Sequence, residues 1–208
     1  MGQEIRKLLF QTHNPYDGLE VLPFNTHGWN SNSPAFKQAI DQTNPCKLIV
    51  EVGTWMGGSA RTMAQILKQR GEDFEIVCVD TFLGSVEHWN RVAYLMTLKN
   101  GRPIVYEHFL SNALHMGLQD YLTPFPCDSV NAYETLKHFK IVPDMVYIDA
   151  GHDYESVSAD IKRWTEILRP GGTLLLDDAH HPPIQKAVAD HIPNAIHAAE
   201  KFLWTKSL

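Results

Sequence analysis

Lys47-Leu48-Ile49-Val50-Glu51-Val52 runs straight into Gly53-Thr54-Trp55-Met56-Gly57-Gly58-Ser59. The first six residues are largely apolar and β-branched, which suits a strand covered on both faces. After the glycines, Ala60, Met63, Ala64 and Leu67 fall at i, i+3, i+4 and i+7, one face of a helix that Gly71 stops. A strand, a glycine-rich loop and a helix in immediate succession turn backbone N–H groups and the positive helix end toward a ligand. The loop departs from the dinucleotide fingerprint, because Trp55 stands where the second glycine would admit a pyrophosphate. It also lacks the Gly-Lys-Ser/Thr ending of a phosphate loop. The expected ligand is a nucleotide-type cofactor that brings a carboxylate, and no phosphate, to the loop.

The alternation continues downstream. Glu75 to Val79 reads as a second strand ending at Asp80, 23 residues after Gly57. An acid at that distance suits a grip on ribose hydroxyls; the other reading is a strand-end cap for the next turn. Tyr121 to Phe125 reads as a third strand before Asp128-Ser129. Met145 to Ile148 is a fourth, ending at Asp149, and Thr173 to Leu176 a fifth, ending at Asp177-Asp178. Between the last two, Val157, Ile161, Trp164 and Leu168 form a helical stripe closed by Pro170-Gly171-Gly172. Ser33-Pro34 starts another helix as cap and first residue, with Phe36, Ala39 and Ile40 on one face. Strands alternating with helices predict an α/β fold with a parallel sheet covered on both sides.

Two stretches stand outside this alternation. Residues 1–33 carry Tyr16, Phe24, His27 and Trp29 among Asn, His and Pro, and read as an N-terminal arm to a domain spanning 34–208. Residues 84–120 hold two helical patterns, around Trp89 to Leu98 and around Tyr106 to Leu114. They read either as padding on the sheet edge or as a cap insert over the strand ends, where ligands bind in open α/β sheets. Trp29, Trp89 and Tyr94 are candidates for a substrate wall or for core.

Composition narrows the function classes. The 208 residues carry 18 Lys+Arg against 24 Asp+Glu, a net charge of −6 with no basic run, so neither a nucleic-acid backbone nor an anionic membrane is an expected partner. Hydrophobic residues make up 44% and charged ones 20%, as in globular proteins. No apolar stretch approaches the roughly 20 residues of a membrane span, and Met1 to Phe10 lacks an apolar signal core. Cys46, Cys78 and Cys127 form neither a disulfide frame nor a zinc motif. The expectation is a cytoplasmic protein with a small-molecule partner and possible homo-oligomerisation.

Glu51-Val52-Gly53-Thr54 to Gly58, with Asp80 closing the next strand, resembles the cofactor region of class I S-adenosylmethionine-dependent methyltransferases. The resemblance continues through Asp80-Thr81-Phe82-Leu83-Gly84-Ser85, Phe109-Leu110-Ser111-Asn112, Asp128-Ser129 and Tyr147-Ile148-Asp149-Ala150-Gly151-His152-Asp153-Tyr154. It ends in Leu168-Arg169-Pro170-Gly171-Gly172 and Asp177-Asp178, and covers the chain from about His27-Gly28-Trp29 onward. These blocks are similar to the small-molecule O-methyltransferase branch that includes macrocin O-methyltransferase. The resemblance implies a doubly wound, Rossmann-like, mostly parallel sheet with helices on both faces. Glu51 and the loop Gly53, Thr54, Trp55 would hold the amino-acid end of S-adenosylmethionine, with Gly57, Gly58 and Ser59 at the helix start. Asp80, beside Thr81, would take the ribose, and Asp128 with Ser129 the adenine. The family sheet sets the fourth and fifth strands side by side, beside the first.

On that arrangement Asp149, Asp177 and Asp178 converge from strands about 4.8 Å apart. Three carboxylates so placed repel one another, and Mg²⁺ or another divalent cation relieves this. Metal-dependent members of the resembled branch use the three matching positions as ligands. The other reading has Asp178 capping a turn, Asp177 binding backbone and no metal. Asp149 and His152 are the candidate general bases, His152 alternatively bonding its loop; His180 and His181 are further ligands or polar loop residues. The resemblance implies methyl transfer to a hydroxyl of a sugar or another secondary metabolite. A nicotinamide-dependent oxidoreductase, a non-catalytic cofactor-binding scaffold, and N-methylation with a purely structural cluster are the alternatives.

Overall fold

The computed structural model describes residues 3–25, 28, 31–90 and 96–208, apart from the side chain of Glu87. In chain order the elements are α1 (Glu4–Phe10), α2 (Pro34–Gln42), β1 (Leu48–Val52), α3 (Gly58–Gln69), β2 (Glu75–Asp80), α4 (Val86–Asn90) and a small hairpin, β3 (Leu98–Lys99) with β4 (Arg102–Pro103). There follow α5 (Val105–His115), β5 (Leu122–Pro126), α6 (Ser129–His138), β6 (Met145–Ile148), α7 (Tyr154–Ile167), β7 (Thr173–Leu176), α8 (Pro182–His191), β8 (Ile196–Ala198) and β9 (Lys201–Thr205).

Seven strands form one sheet in the order β5-β2-β1-β6-β7-β9-β8. The first five are parallel; β9 runs antiparallel to β7, and β8 to β9. The fold is α/β, Rossmann-like and mostly parallel, and the strand order turns back beside β1, which opens a crevice at the carboxyl ends of β1 and β6. Because side chains alternate along a strand, Ile49, Met145, Tyr147 and Leu175 join the core layer of α2, α3 and α5. Val50, Val52, Val146, Ile148, Leu174 and Leu176 join the layer of α6, α7 and α8. Pro124 and Pro126 are tolerated in β5 because it is an edge strand, with β2 as its one neighbour. Local caps match the sequence: the Ser33 hydroxyl accepts from the Ala35 amide at 3.2 Å, and Asp153 from the Ser156 amide at 2.9 Å.

Three sequence expectations are corrected. The third strand is Leu122–Pro126, one residue later than expected. The helical pattern from Trp89 to Leu98 is helix only to Asn90; residues 91–95, with Tyr94, lie outside the described residues, and Leu98 pairs with Pro103 in the hairpin. Asn100 and Gly101 hold φ of 53° and 78°, the Asn-Gly turn that closes a two-residue hairpin. Finally, the β8–β9 return was not expected. His27 and Trp29 also lie outside the described residues.

The arm begins beneath the sheet. The Arg6 guanidinium donates to the Gln119 and Leu122 carbonyls at 2.5 and 2.6 Å, and Glu75 accepts the Ile5 and Arg6 amides and the Thr123 hydroxyl. The chain then climbs along α5, where Leu22 N–H donates to the Ser111 hydroxyl and Asn25 N–H to Asn112, both at 2.9 Å. In residues 84–120, α5 buries Val105, Phe109, Leu110 and Ala113 against the sheet as the crossover from β2 to β5. Among the described residues no helix is long and apolar enough to cross a membrane.

Candidate active site

A cavity of about 590 Å³ lies over the carboxyl ends of β2, β1, β6 and β7. That size suits a nucleotide-sized ligand with room for part of a second molecule. Its floor is the glycine loop. Gly53, Trp55 and Gly57 hold φ of 90°, 51° and 81°, so the chain reverses from β1 into α3 within five residues. The Gly53 amide donates to Val79 and the Asp149 amide to Val52, both at 2.8 Å, which fixes the loop between β2 and β6. A Cβ on Gly53 would lie 2.1 Å from the Asp149 carbonyl oxygen; only glycine permits this approach.

Gly53, Thr54, Trp55, Gly58 and Ser59 line the cavity, whereas Gly57 and Glu51 do not. Gly57 instead faces the Phe109 ring. Glu51 is fully buried below the loop, where its carboxylate accepts the hydroxyls of Thr54, at 2.5 Å, and Ser59. Burial pushes the Glu51 carboxyl up to about 7, against the pull of these two hydrogen bonds. It braces the residues expected to meet the amino-acid end of a cofactor rather than reaching into the cavity.

Asp80 and Thr81 line the next wall. The Asp80 carboxylate accepts the Trp55 amide at 2.8 Å and the Phe82 amide at 2.7 Å, one on each oxygen, so it also holds the loop. Burial raises its carboxyl, and these amide bonds oppose the rise. Asp128 and Ser129 line the far end. Asp128 caps α6 by accepting the Val130 and Asn131 amides, and the Asn131 side chain keeps its carboxyl low. The Ser129 hydroxyl is committed elsewhere: it donates to Asp160 at 2.5 Å and accepts from the Trp164 indole at 2.9 Å. Trp55 stacks on His88 at 4.1 Å along the cavity wall. Trp89 is 45% exposed and donates to the Leu83 carbonyl, outside the lining.

Asp149, Asp177, Asp178 and His152 all line the cavity. Burial, then the neighbouring Asp177 charge, holds the Asp149 carboxyl well above the usual range. The His152 imidazole, 3.0 Å from Asp178, holds Asp178 below it. Ligand atoms of Asp149, His152 and Asp178 lie within 4.8 Å of one another, as do those of Asp178, His180 and His181. Asp177 differs: Oδ1 accepts from Lys201 Nζ and from the Asp178 amide, both at 2.7 Å, and Oδ2 accepts the Tyr147 hydroxyl at 2.7 Å. Sequence reasoning missed Tyr147 and Lys201. Tyr147 stands two residues before Asp149 on the same face of β6, a period-two signal that was available.

The chain matches the methyltransferase domain family over residues 50–179. Among solved structures it is similar to CalS11, a calicheamicin methyltransferase, at 18% identity over 82% of this chain and 77% of that one, with a TM-score of 0.60. It is also similar to an O-methyltransferase from Bacillus cereus in complex with SAH, at 14% identity over 100% and 96% of the two chains, TM-score 0.57. TomG, an O-methyltransferase from Streptomyces achromogenes in complex with SAM, shares 15% identity over 83% and 78%, TM-score 0.57. Identities this low speak for the fold. No curated protein matches the chain. With the family match spanning the strands that floor the cavity, the chain belongs to the methyltransferase domain family and is a class I S-adenosylmethionine-dependent methyltransferase.

Proposed function

We propose that this protein methylates a hydroxyl of a small molecule, a sugar or another secondary metabolite, with a divalent cation assisting. The observation that carries the reading is the placement of Asp149: a carboxyl held high by burial, beside the glycine loop and in the same cavity as Asp178 and His152. CalS11 is described as a TDP-rhamnose 3'-O-methyltransferase and TomG as acting in tomaymycin synthesis, which supports a hydroxyl on such a metabolite.

When bound, S-adenosylmethionine supplies an electrophilic methyl group on a sulfonium, and a cation such as Mg²⁺ supplies charge that acidifies a hydroxyl. The loop amides and the start of α3 would hold the cofactor's carboxylate. Asp80 keeps lone pairs for ribose hydroxyls while holding Trp55 and Phe82. The Ser129 hydroxyl is spent on Asp160, so this residue would meet adenine through its backbone and Asp128 through its carboxylate. Asp149 would take the proton of the acceptor hydroxyl while that oxygen bonds the methyl carbon and the carbon–sulfur bond breaks, S-adenosylhomocysteine leaving. Asp149 and Asp178 are the carboxylates suited to hold the cation.

Calorimetric titration with S-adenosylmethionine, with NAD as control, tests the cofactor. Saturable micromolar binding of the first and none of the second is expected, and NAD binding alone would overturn the reading. Transfer into hydroxylated acceptors should fall on chelation; a rate unchanged by chelator removes the cation from the mechanism. Asp149→Asn should lower kcat more than His152→Ala, and the opposite ordering would give the base role to the histidine.

A further inference from the structure

Lys201 is 0% exposed. It opens β9, whose register (Leu176 beside Phe202, Leu175 beside Leu203) carries Lys201 alongside Asp177 on the α2 face of the sheet. Its ammonium lies 2.7 Å from Asp177 Oδ1 and 3.2 Å from the Tyr147 hydroxyl, between the rings of Phe36 and Tyr147 at 5.1 and 5.2 Å. A buried ammonium persists only when paired and hydrogen-bonded; Asp177 is the nearer of its two carboxylates, with Glu200 Oε1 at 3.4 Å. A divalent ion on Asp177 would sit beside that ammonium and compete with three donors already engaged on its two oxygens. Asp149 accepts the Tyr147 hydroxyl at 3.0 Å and Asp178 pairs with His152 at 3.0 Å, but among the described residues neither is ion-paired to a lysine or arginine, and His152 places a ring nitrogen within the same 4.8 Å set. The alternative set of Asp178, His180 and His181 includes His180, which does not line the cavity.

We infer that Lys201 is the resident cation of the carboxylate cluster: it takes Asp177 out of metal coordination, and the divalent ion binds Asp149, Asp178 and His152. This rests on the cation-assisted reading above. A site with one imidazole among its ligands favours ions later in the first-row series, Co²⁺ over Mg²⁺, whereas an all-carboxylate site suits Mg²⁺.

The test uses Mn²⁺ alone with the full-length protein, following free ion by electron paramagnetic resonance. The double variant D177N/K201M removes both partners of the buried pair together, the exchange that folded proteins tolerate best. It should bind Mn²⁺ no more than about 10–100-fold more weakly than the wild type, the effect expected beside a ligand, whereas D178N should cost far more. Pulsed resonance of the wild-type Mn²⁺ complex should show nitrogen modulation that H152Q abolishes, and this readout does not depend on the double variant folding. Equal loss in D177N/K201M and D178N, or a wild-type complex without nitrogen modulation, overturns the assignment of ligands while leaving a cation site. Wild-type protein that binds no Mn²⁺ overturns both this inference and the cation-assisted reading, and S-adenosylmethionine binding to the same sample then reports on the transferase separately.

Discussion

Gly53→Ala offers a sharp test of how the site is assembled. A Cβ at this position would stand 2.1 Å from the Asp149 carbonyl oxygen, 2.6 Å from its carbon and 2.9 Å from the Ala150 Cα. All three are backbone atoms, so no side chain can rotate away. Ordinary contact needs about 3.5 Å, and the β1 and β6 loops must therefore part by more than about 1 Å. They are joined by the Asp149-to-Val52 hydrogen bond, whose loss costs about 0.5–1.5 kcal/mol. Overpacking adds about 1–3 kcal/mol, and the left-handed backbone, φ 90°, about 1–2 kcal/mol for alanine. The total, about 2.5–6.5 kcal/mol, is a large share of a domain's stability of about 5–15 kcal/mol. Urea unfolding should show a lower midpoint at unchanged slope, and whatever folds should bind S-adenosylmethionine poorly, since Asp149 has moved from the loop. Gly71→Ala is the control. It shares the positive φ, 70°, but its Cβ meets nothing within 4 Å, so it should lose only the backbone part, about 1–2 kcal/mol. A Gly53→Ala protein no less stable than Gly71→Ala, with wild-type cofactor affinity, would refute the close packing of the two loops.

Other outcomes follow from the same geometry. Glu51 is raised to about 7 in the folded protein against 4.5 in the open chain. The folded state thus keeps a proton that the unfolded state releases, and this contribution to stability is full below about 4.5 and is lost as pH rises to about 7. Glu51→Gln should flatten that fall in urea midpoints measured across the interval; an unaltered pH profile would show that Glu51 ionises normally. Asp80→Asn should weaken S-adenosylmethionine binding by about 10–100-fold, from charged hydrogen bonds of about 1.5–3 kcal/mol; an unchanged Kd by calorimetry would take the ribose away from Asp80. Arg6→Met leaves the Gln119 and Leu122 carbonyls without their donor and should cost about 2–4 kcal/mol in urea unfolding. Because α1 lies at the opposite end of the sheet from the cavity, the folded Arg6→Met protein should keep its cofactor affinity, and a parallel loss would contradict that separation.

The parts of the site that were legible in the sequence are those written locally. Strands β1, β2, β6 and β7 are short β-branched or aliphatic runs, each stopped by turn residues, and the acids at their ends are placed by chain continuity alone. Asp80, Asp149, Asp177 and Asp178 were therefore visible as strand-end carboxylates, and Gly53 to Ser59 as a loop. The hairpin at Asn100-Gly101 was equally local, yet the helical spacing from Trp89 outweighed a two-residue turn signal. Its strands are only two residues long, too short for an alternating pattern.

What escaped depends on partners distant in sequence. Ser129 looks like a ligand donor until Asp160 and Trp164, 31 and 35 residues away, occupy its hydroxyl. Lys201 looks like a surface residue in Ala199-Glu200-Lys201 until β9 folds back onto β7 and places it against Asp177 and Tyr147, 54 residues from the latter. The sequence by itself determined the α/β class, the glycine loop and the ring of acids at the strand ends, because hydrophobic period and chain punctuation act over a few residues. Only the tertiary structure decided which of those acids keep their oxygens for a ligand. The choice depends on pairing across the sheet, where the buried ammonium of Lys201 takes its counter-charge from Asp177 at the end of a neighbouring strand.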